Sequence, residues 1–503
     1  MRIKNRLLVV AQVLWIAACG VSDYEIGDEK ATLDPLTFTV ERKSATVAKL
    51  TWTIPSRVEN LTLAYQAGAT APASCKVGTV TNLSSPDDLT ALSSALLPST
   101  QYSFRLCGRS KSGEFFSSGL TASVTTFPTC DYSLQVGELD TGTVDSLSFT
   151  STIDSVDSST EFNAFVLQMA ATGSRGSDGQ FTICLDNAVE VMNNNATAGT
   201  GSTLSSLADV YIYSELGSTA SFVNQRTTGT APLDRSAFVL LAATNVHLEN
   251  INFRTTGTSG RGIIGVSASS IAELHNSIIS TQSPFGQGIN LRDTSSADSI
   301  ANVTITTSDT SNLSGAYGIL LQGNARIDAM KDVRITTAGN TGGATTSNAA
   351  YGLYITSQTG TGSSVGSMES VVIETAGTDS HAIYVELGDC FIESMKDVQL
   401  RRSSNATTRG IGILFTGSTP YVQTANIQNV TFCSETGGTA WDFDDGKFIA
   451  SSTGLPTTTL ATAPTTHTAR VTTETGIATF PFNGISGAAG DEASIVFGGT
   501  CAN

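Results

Sequence analysis

Glu386, Asp442 and Asp444 are the acids of this chain that could serve as general acid and base on a glycosidic bond. Hydrolysis with inversion needs two carboxyls far enough apart to admit a water between them. The run Trp441-Asp442-Phe443-Asp444-Asp445-Gly446 also reads as a strand ending in an acidic turn. Tyr354 and Tyr384, with Leu320 and Leu414, offer aromatic and apolar surface of the kind that stacks on sugar rings or docks a partner. The four histidines, His247, His275, His381 and His467, are scattered. No CxxC or His/Cys spacing suits zinc, so no metal site is expected.

Most of these side chains fall within a repeat. The run Met330-Lys331-Asp332-Val333-Arg334-Ile335 recurs, altered, with its third position at 250, 276, 302, 332, 370, 397 and 429. The steps are 26, 26, 30, 38, 27 and 32 residues, the length of a solenoid rung with loop insertions. Each copy alternates apolar and polar and slips once, at the third residue. The chain must turn a corner there for the next side chains to keep facing the core. Asn and Asp tolerate the left-handed backbone of a tight corner. Asn250, Asn276, Asn302, Asp332, Ser370, Asp397 and Asn429 are therefore expected to stack in one line. A second strand repeats ahead of each corner, as Gly288-Ile289-Asn290-Leu291, Gly318-Ile319-Leu320-Leu321, Gly352-Leu353-Tyr354-Ile355, Ala382-Ile383-Tyr384-Val385 and Gly412-Ile413-Leu414-Phe415.

Three short strands per rung with one sharp Asn corner resemble the right-handed parallel β-helix of the pectate-lyase-like superfamily, over roughly residues 180–450. That fold hosts lyases, hydrolases, adhesins and autotransporter stalks, so the resemblance implies architecture rather than chemistry. In enzymes resembling it, catalytic groups project from one outer sheet, and here the Gly-Ile-x-Leu strand is the candidate. Asn290, Leu320, Tyr354, Tyr384, Leu414 and Asp442 form one expected outward row; Arg292, Gln322, Thr356, Glu386, Thr416 and Asp444 form the next. Rungs about 4.8 Å apart put Arg292 roughly 14 Å from Glu386, and Glu386 about 9 to 10 Å from Asp444. The converging acids of a calcium-dependent lyase are not evident. Of the polygalacturonase series only Asp444-Asp445 occurs, without Gly-His-Gly. Calcium enters only under the lyase reading, and no other cofactor is expected. Lys331, Arg334, Lys396 and Arg401 read as a solvated face.

At the start of the chain, Arg2, Lys4 and Arg6 precede an apolar run from Leu7 to Ala18, too short to span a bilayer. Ile16-Ala17-Ala18-Cys19 matches the lipobox of bacterial lipoproteins. The match implies cleavage before Cys19, a lipid on its thiol and, with Gly20 next, sorting to the outer membrane of a Gram-negative cell. A formal charge of −17 argues against nucleic acid and anionic lipid as partners. Setting Cys19 aside leaves seven cysteines in a compartment that permits disulfides. The expected pairs are Cys75 with Cys107 and, at the module junction, Cys130 with Cys184. One of Cys390, Cys433 and Cys501 is then left over.

Residues 36–127 read as a β-sandwich, with alternating segments at 36–40, 48–54, 61–65, 101–109 and 120–127. Trp52 and the run Leu97-Pro98-Ser99-Thr100-Gln101-Tyr102-Ser103-Phe104 resemble a fibronectin type III domain with its tyrosine corner. The resemblance implies that the Tyr102 hydroxyl bonds backbone a few residues upstream while the ring packs in the core. The chain is thus expected to be all-β, a fibronectin III-like sandwich followed by a right-handed parallel β-helix. Its expected order is signal peptide 1–18, lipidated cysteine and tether 19–35, sandwich 36–127, linker or N-terminal cap 128–180, β-helix 181–453 and C-terminal cap 454–503. The expected function is a surface-anchored binding or adhesion role toward glycan or a neighbouring surface. A polysaccharide lyase or glycoside hydrolase and a structural spacer are the alternatives.

Overall fold

The structure is a computed structural model. It describes residues 35–54, 58, 60–83, 90–109, 117–134, 159–193, 200–227, 232–257, 259–282, 285–308, 316–339, 350–357, 362–376, 380–386 and 390–402. Beyond these it describes the backbone of short strands at 143–144, 147–148, 413–416, 422–423, 426–428, 430–434, 448–449, 468–473, 476–481 and 495–497. Cys19, Asn429, Asp442, Asp444 and Cys501 lie outside the described residues. The chain forms two compact units, residues 1–129 and 130–503.

In the first unit seven strands are described: β1 (Thr37–Arg42), β2 (Ala48–Thr53), β3 (Asn60–Ala67), β4 (Thr79–Leu83), β5 (Thr90–Ser93), β6 (Gln101–Arg109) and β7 (Leu120–Thr125). They form two antiparallel sheets, ordered β1-β2-β5 and β4-β3-β6-β7. Strand β2 shows why: Ala48, Leu50 and Trp52 are buried while the residues between them are not, so one face is apolar. Those residues pack with Leu61, Leu63, Phe104 and Leu106 into one core. Sequence reading finds five of the seven strands and passes over β4 and β5. In β4 no side chain is buried, so it carries no apolar alternation to read.

The Leu97 N–H donates to the Tyr102 hydroxyl at 3.0 Å, five residues upstream, with the Tyr102 ring buried in the core. Cys75 and Cys107 are disulfide-bonded beside Ala64. Cys75 lies in the turn-rich connection between β3 and β4. Closing 32 residues contributes about 3 to 4 kcal/mol on the chain-entropy account.

The second unit is a β-solenoid whose sequential strands join three parallel sheets. The pre-corner sheet holds Thr244–Glu249, Ser270–His275, Ser296–Ala301, Arg326–Lys331, Ser364–Glu369 and Phe391–Lys396 among its strands. After the corner come Asn252–Thr255, Ile278–Gln282, Thr304–Ser308, Arg334–Ala338, Val372–Ala376 and Gln399–Arg402, in the post-corner sheet. The third sheet holds Arg261–Val266, Gln287–Leu291, Tyr317–Gln322, Tyr351–Thr356, His381–Glu386 and Ile413–Thr416. Met330, Val333, Ile335, Leu353 and Ile355 illustrate the single core that runs through these rungs. Fully burying each such side chain contributes roughly 1.5 to 3 kcal/mol.

Asn250, Asn276, Asn302, Asp332, Ser370 and Asp397 all adopt left-handed backbone, with φ between 50° and 57°. Each follows directly on residues held in register from rung to rung, Glu249, His275, Ala301, Lys331, Glu369 and Lys396. The turned backbone points the N–H of Asn250, Asn276, Asn302, Asp332 and Ser370 at the next rung: Asn276 donates to Ala301 O at 3.1 Å and Asn302 to Lys331 O at 3.0 Å. Side chains extend the line where they can donate, as from Asn302 Nδ2 to Asn276 Oδ1 at 2.7 Å. Asn276 Nδ2 instead reaches Glu249 Oε1, and Asn250 Nδ2 reaches Ser214 O, so the side-chain ladder is local while the backbone ladder is continuous.

Residues 128–180 carry the first strand of the pre-corner sheet, Tyr132–Leu134, and the helix α1 (Ser159–Thr172). Phe162, Phe165, Val166 and Met169 of α1 enter the solenoid core, with Phe162 edge-on to Phe222 at 5.1 Å. Asn163 accepts the Thr203 N–H at 2.6 Å and donates to Gly201 O at 3.2 Å. The helix thus covers core and strand edges that a first rung would otherwise expose. Cys130 and Cys184 are disulfide-bonded inside this unit, tying the chain ahead of Tyr132 to the strand Phe181–Leu185. Cys390 is buried in the solenoid core.

Candidate functional site

The third sheet carries three outward rows. Inward positions such as Ile289, Ile319, Leu353 and Ile383 belong to the core, and the small residue before each, Gly288, Gly318, Gly352 and Ala382, is also turned toward it. A Cβ on Gly318 would overlap Ile335 Cγ2 and sit 2.5 Å from Gly352 O, which is why glycine recurs there. That kink adds an outward row which alternation alone does not reveal: Arg261, Gln287, Tyr317, Tyr351 and His381, in register. The second row is Ile264, Asn290, Leu320, Tyr354, Tyr384 and Leu414; the third includes Gln322, Thr356 and Glu386.

Stacking in register makes these rows aromatic ladders. Tyr317 and Tyr351 stack with centroids 5.3 Å apart, Tyr351 and His381 at 5.3 Å, and Tyr354 and Tyr384 at 4.9 Å. The rows also pack sideways, Tyr317 edge-on to Tyr354 at 5.3 Å and Tyr351 tilted on Tyr384 at 4.7 Å. Five rings therefore form one cluster, of which sequence reading identifies two. Leu320, expected to be exposed with them, is 3% exposed although it lies outside the core. Tyr354 and Tyr384 are half-buried. The expected open stripe is a filled face, because rings one rung apart spend their flat sides on each other. Leu414 is described only as backbone, in register with Tyr384.

Glu386 joins this cluster, while Asp442 and Asp444, its expected acid partners, lie outside the described residues. The Tyr354 hydroxyl donates to Glu386 Oε2. Burial first, then that bond, raises the Tyr354 phenol well above its ordinary range and holds it protonated as a donor. Burial, then the charge of Glu386, raises Tyr317 as well. The face can thus donate from fixed phenols and accept at one carboxylate.

On the pre-corner sheet, His247 and His275 converge where sequence reading has them scattered. Their Nδ1 atoms lie 3.4 Å and 4.0 Å from Glu273 Oε2, and Tyr211 stacks on His247 at 5.1 Å. Among the described residues no three His, Cys, Asp or Glu side chains converge as a metal site. Of the basic residues expected to be solvated, Lys331 and Lys396 are exposed and flank Glu369 at 3.7 Å and 2.9 Å, and Arg334 meets Glu374 at 3.0 Å. Arg401 departs from that expectation. It is buried and donates to Gln399 Oε1 at 2.7 Å.

No family model matches the chain, and no curated protein sequence is similar to it. Solved structures to which it is similar include fibronectin type III domains. The FN3 domain of human collagen XX is 18% identical, covering 19% of this chain and 91% of that one with a TM-score of 0.16. The FN5 domain of Drosophila Lar is 17% identical, covering 19% and 97% with a TM-score of 0.15.

Proposed function

We propose that this protein is a lipid-anchored cell-surface protein that binds glycan through the outward face of the third sheet. The observation that carries the reading is the cluster of Tyr317, Tyr351, Tyr354, Tyr384 and His381 on successive rungs, with Glu386 at its edge. Rings locked against one another present edges, hydroxyls and a carboxylate in fixed positions. A polyhydroxylated chain lying along the rungs would meet fixed phenols and one carboxylate at little ordering cost to the protein. The lipobox at Cys19 supports the anchor, and two disulfides suit an exported chain.

The test uses the full chain in detergent on immobilised polysaccharides, scored for both retention and bond cleavage. Tyr354→Ala with Tyr384→Ala should weaken retention by about 1 to 3 kcal/mol, the scale of aromatic packing and area burial. Retention indifferent to both rings would leave a spacer as the better account. Turnover abolished by Glu386→Gln would make the protein a lyase or hydrolase instead.

A further inference from the structure

Strand alternation sends Glu273 and His275 to the outer side of the pre-corner sheet, with Leu274 between them in the core. In the next rung Ser299 stands in register with Glu273, and Ile300 beside it enters the core. Parallel pairing about 4.8 Å apart thus gathers a hydroxyl, an imidazole and a carboxylate on one patch of surface.

Their contacts run in sequence. Ser299 Oγ and His275 Nε2 lie 3.1 Å apart, and His275 Nδ1 lies 4.0 Å from Glu273 Oε2. With its proton on Nδ1, the side that faces the carboxylate, His275 accepts the Ser299 hydroxyl through Nε2. A hydroxyl bonded to an imidazole whose far nitrogen faces a carboxylate is the arrangement that makes serine a nucleophile. The link to Glu273 is longer than a hydrogen bond, and such links tighten once a substrate is bound. The same carboxylate oxygen lies 3.4 Å from His247 Nδ1, so Glu273 stands between two imidazoles.

The following rung leaves room for a substrate. It carries Ala301 beside His275 and Ala329 beside Ser299, and two methyl groups make a step from which an acyl group can reach the hydroxyl. Ser299, His275 and Glu273 are half-buried rather than sealed. Strand pairing on both sides takes the backbone N–H groups around Ser299, so a developing oxyanion leans on water instead of a preformed hole. A missing hole donor costs about 10²- to 10³-fold in rate, so capture of reactive esters with slow release is expected.

We propose that Ser299, His275 and Glu273 form a nucleophilic relay that takes the acyl group of a carboxylic ester. Ser299 Oγ bonds the acyl carbon as its proton passes to His275 Nε2. The bond from that carbon to the alcohol oxygen breaks, and the proton leaves with the alcohol. Water then attacks the same carbon, giving a proton to His275, and the acid departs as that proton returns to Ser299. Ser299 and His275 are the catalytic residues, and Glu273 positions His275. The site lies on a different sheet from the aromatic cluster and does not depend on the glycan reading.

The experiment treats the full chain in detergent with diisopropyl fluorophosphate, whose P–F bond breaks as an Oγ–P bond forms, and maps the adduct by peptide mass spectrometry. Ser299 is expected to be labelled ahead of the other serines of the chain, and 4-nitrophenyl acetate to release nitrophenolate in a burst. Ser299→Ala should remove both while leaving thermal unfolding unchanged, since it deletes one hydroxyl from an outward position. His275→Gln should slow labelling about 100-fold, the lower end of what a general base contributes. Glu273→Gln should slow it roughly tenfold or more, and Glu273→Asp by less, the mark of a placed charge rather than of packing. Labelling of Ser299 no faster than that of the other serines, or a rate unchanged in His275→Gln, overturns the relay. Equal rates in Glu273→Gln and wild type would remove Glu273 from it.

Discussion

Tyr354 and Tyr102 show how far one hydroxyl depends on what its ring packs against. Tyr354 is pinned between Tyr317, Tyr351 and Tyr384, so its hydroxyl has a fixed direction and meets Glu386. Tyr102 is pinned by Tyr65 and Phe104, and its hydroxyl meets the Leu97 N–H. Removing only the second hydroxyl should cost the sandwich its corner bond and little packing. Tyr102→Phe is expected to destabilise by about 1 kcal/mol, the net worth of a hydrogen bond whose partner is part-buried. The check is a chemical denaturation series on the full chain, following the Trp52 fluorescence. An unchanged midpoint for that probe would mean the bond contributes nothing.

Among elements, two rows of the solenoid owe their residue types to stacking rather than to strand propensity. Gly262, Gly288, Gly318 and Gly352 sit where a Cβ would run into an isoleucine of the post-corner sheet and the carbonyl of the next rung. Gly318→Ala should therefore destabilise by about 1 to 3 kcal/mol through overpacking against backbone that cannot move aside. Thr255, Thr281, Thr307, Thr337 and Thr375 form the other row, in register and at most 1% exposed. Their hydroxyls make no hydrogen bond among the described residues. Rungs about 4.8 Å apart hold them too far from each other to pair. Thr307→Val keeps the branched shape and removes a buried unpaired hydroxyl. It is expected to raise stability by about 1 kcal/mol, and a loss of that size in thermal unfolding would falsify the unpaired assignment.

At the scale of the whole molecule, attachment is expected to hang on one sulfur. Cys19→Ser should abolish acylation and leave the protein uncleaved or outside the membrane fraction, as read by fractionation and mass spectrometry; a variant still acylated would refute the anchor. What the sequence by itself determined is whatever repeats along the chain. The slip at Asn250, Asn276 and Asn302 announces a corner, because a period-2 pattern cannot change phase without one. Tyr102 and its upstream run likewise mark the corner of the sandwich, since both partners lie within five residues. Contacts between distant or irregular positions left no such trace. The kink at Gly318, Gly352 and Ala382 moved Tyr317, Tyr351 and His381 onto the outward face, where a strict alternation places them elsewhere. Leu320 became buried, and Arg261 and Arg292 were gathered around one pair of amides, only when rungs some 30 residues apart were laid in register. Periodicity states which side chains share a row. Tertiary structure decides what fills the space above that row, because the filling comes from neighbouring rungs whose separation in sequence is set by loops that carry no period.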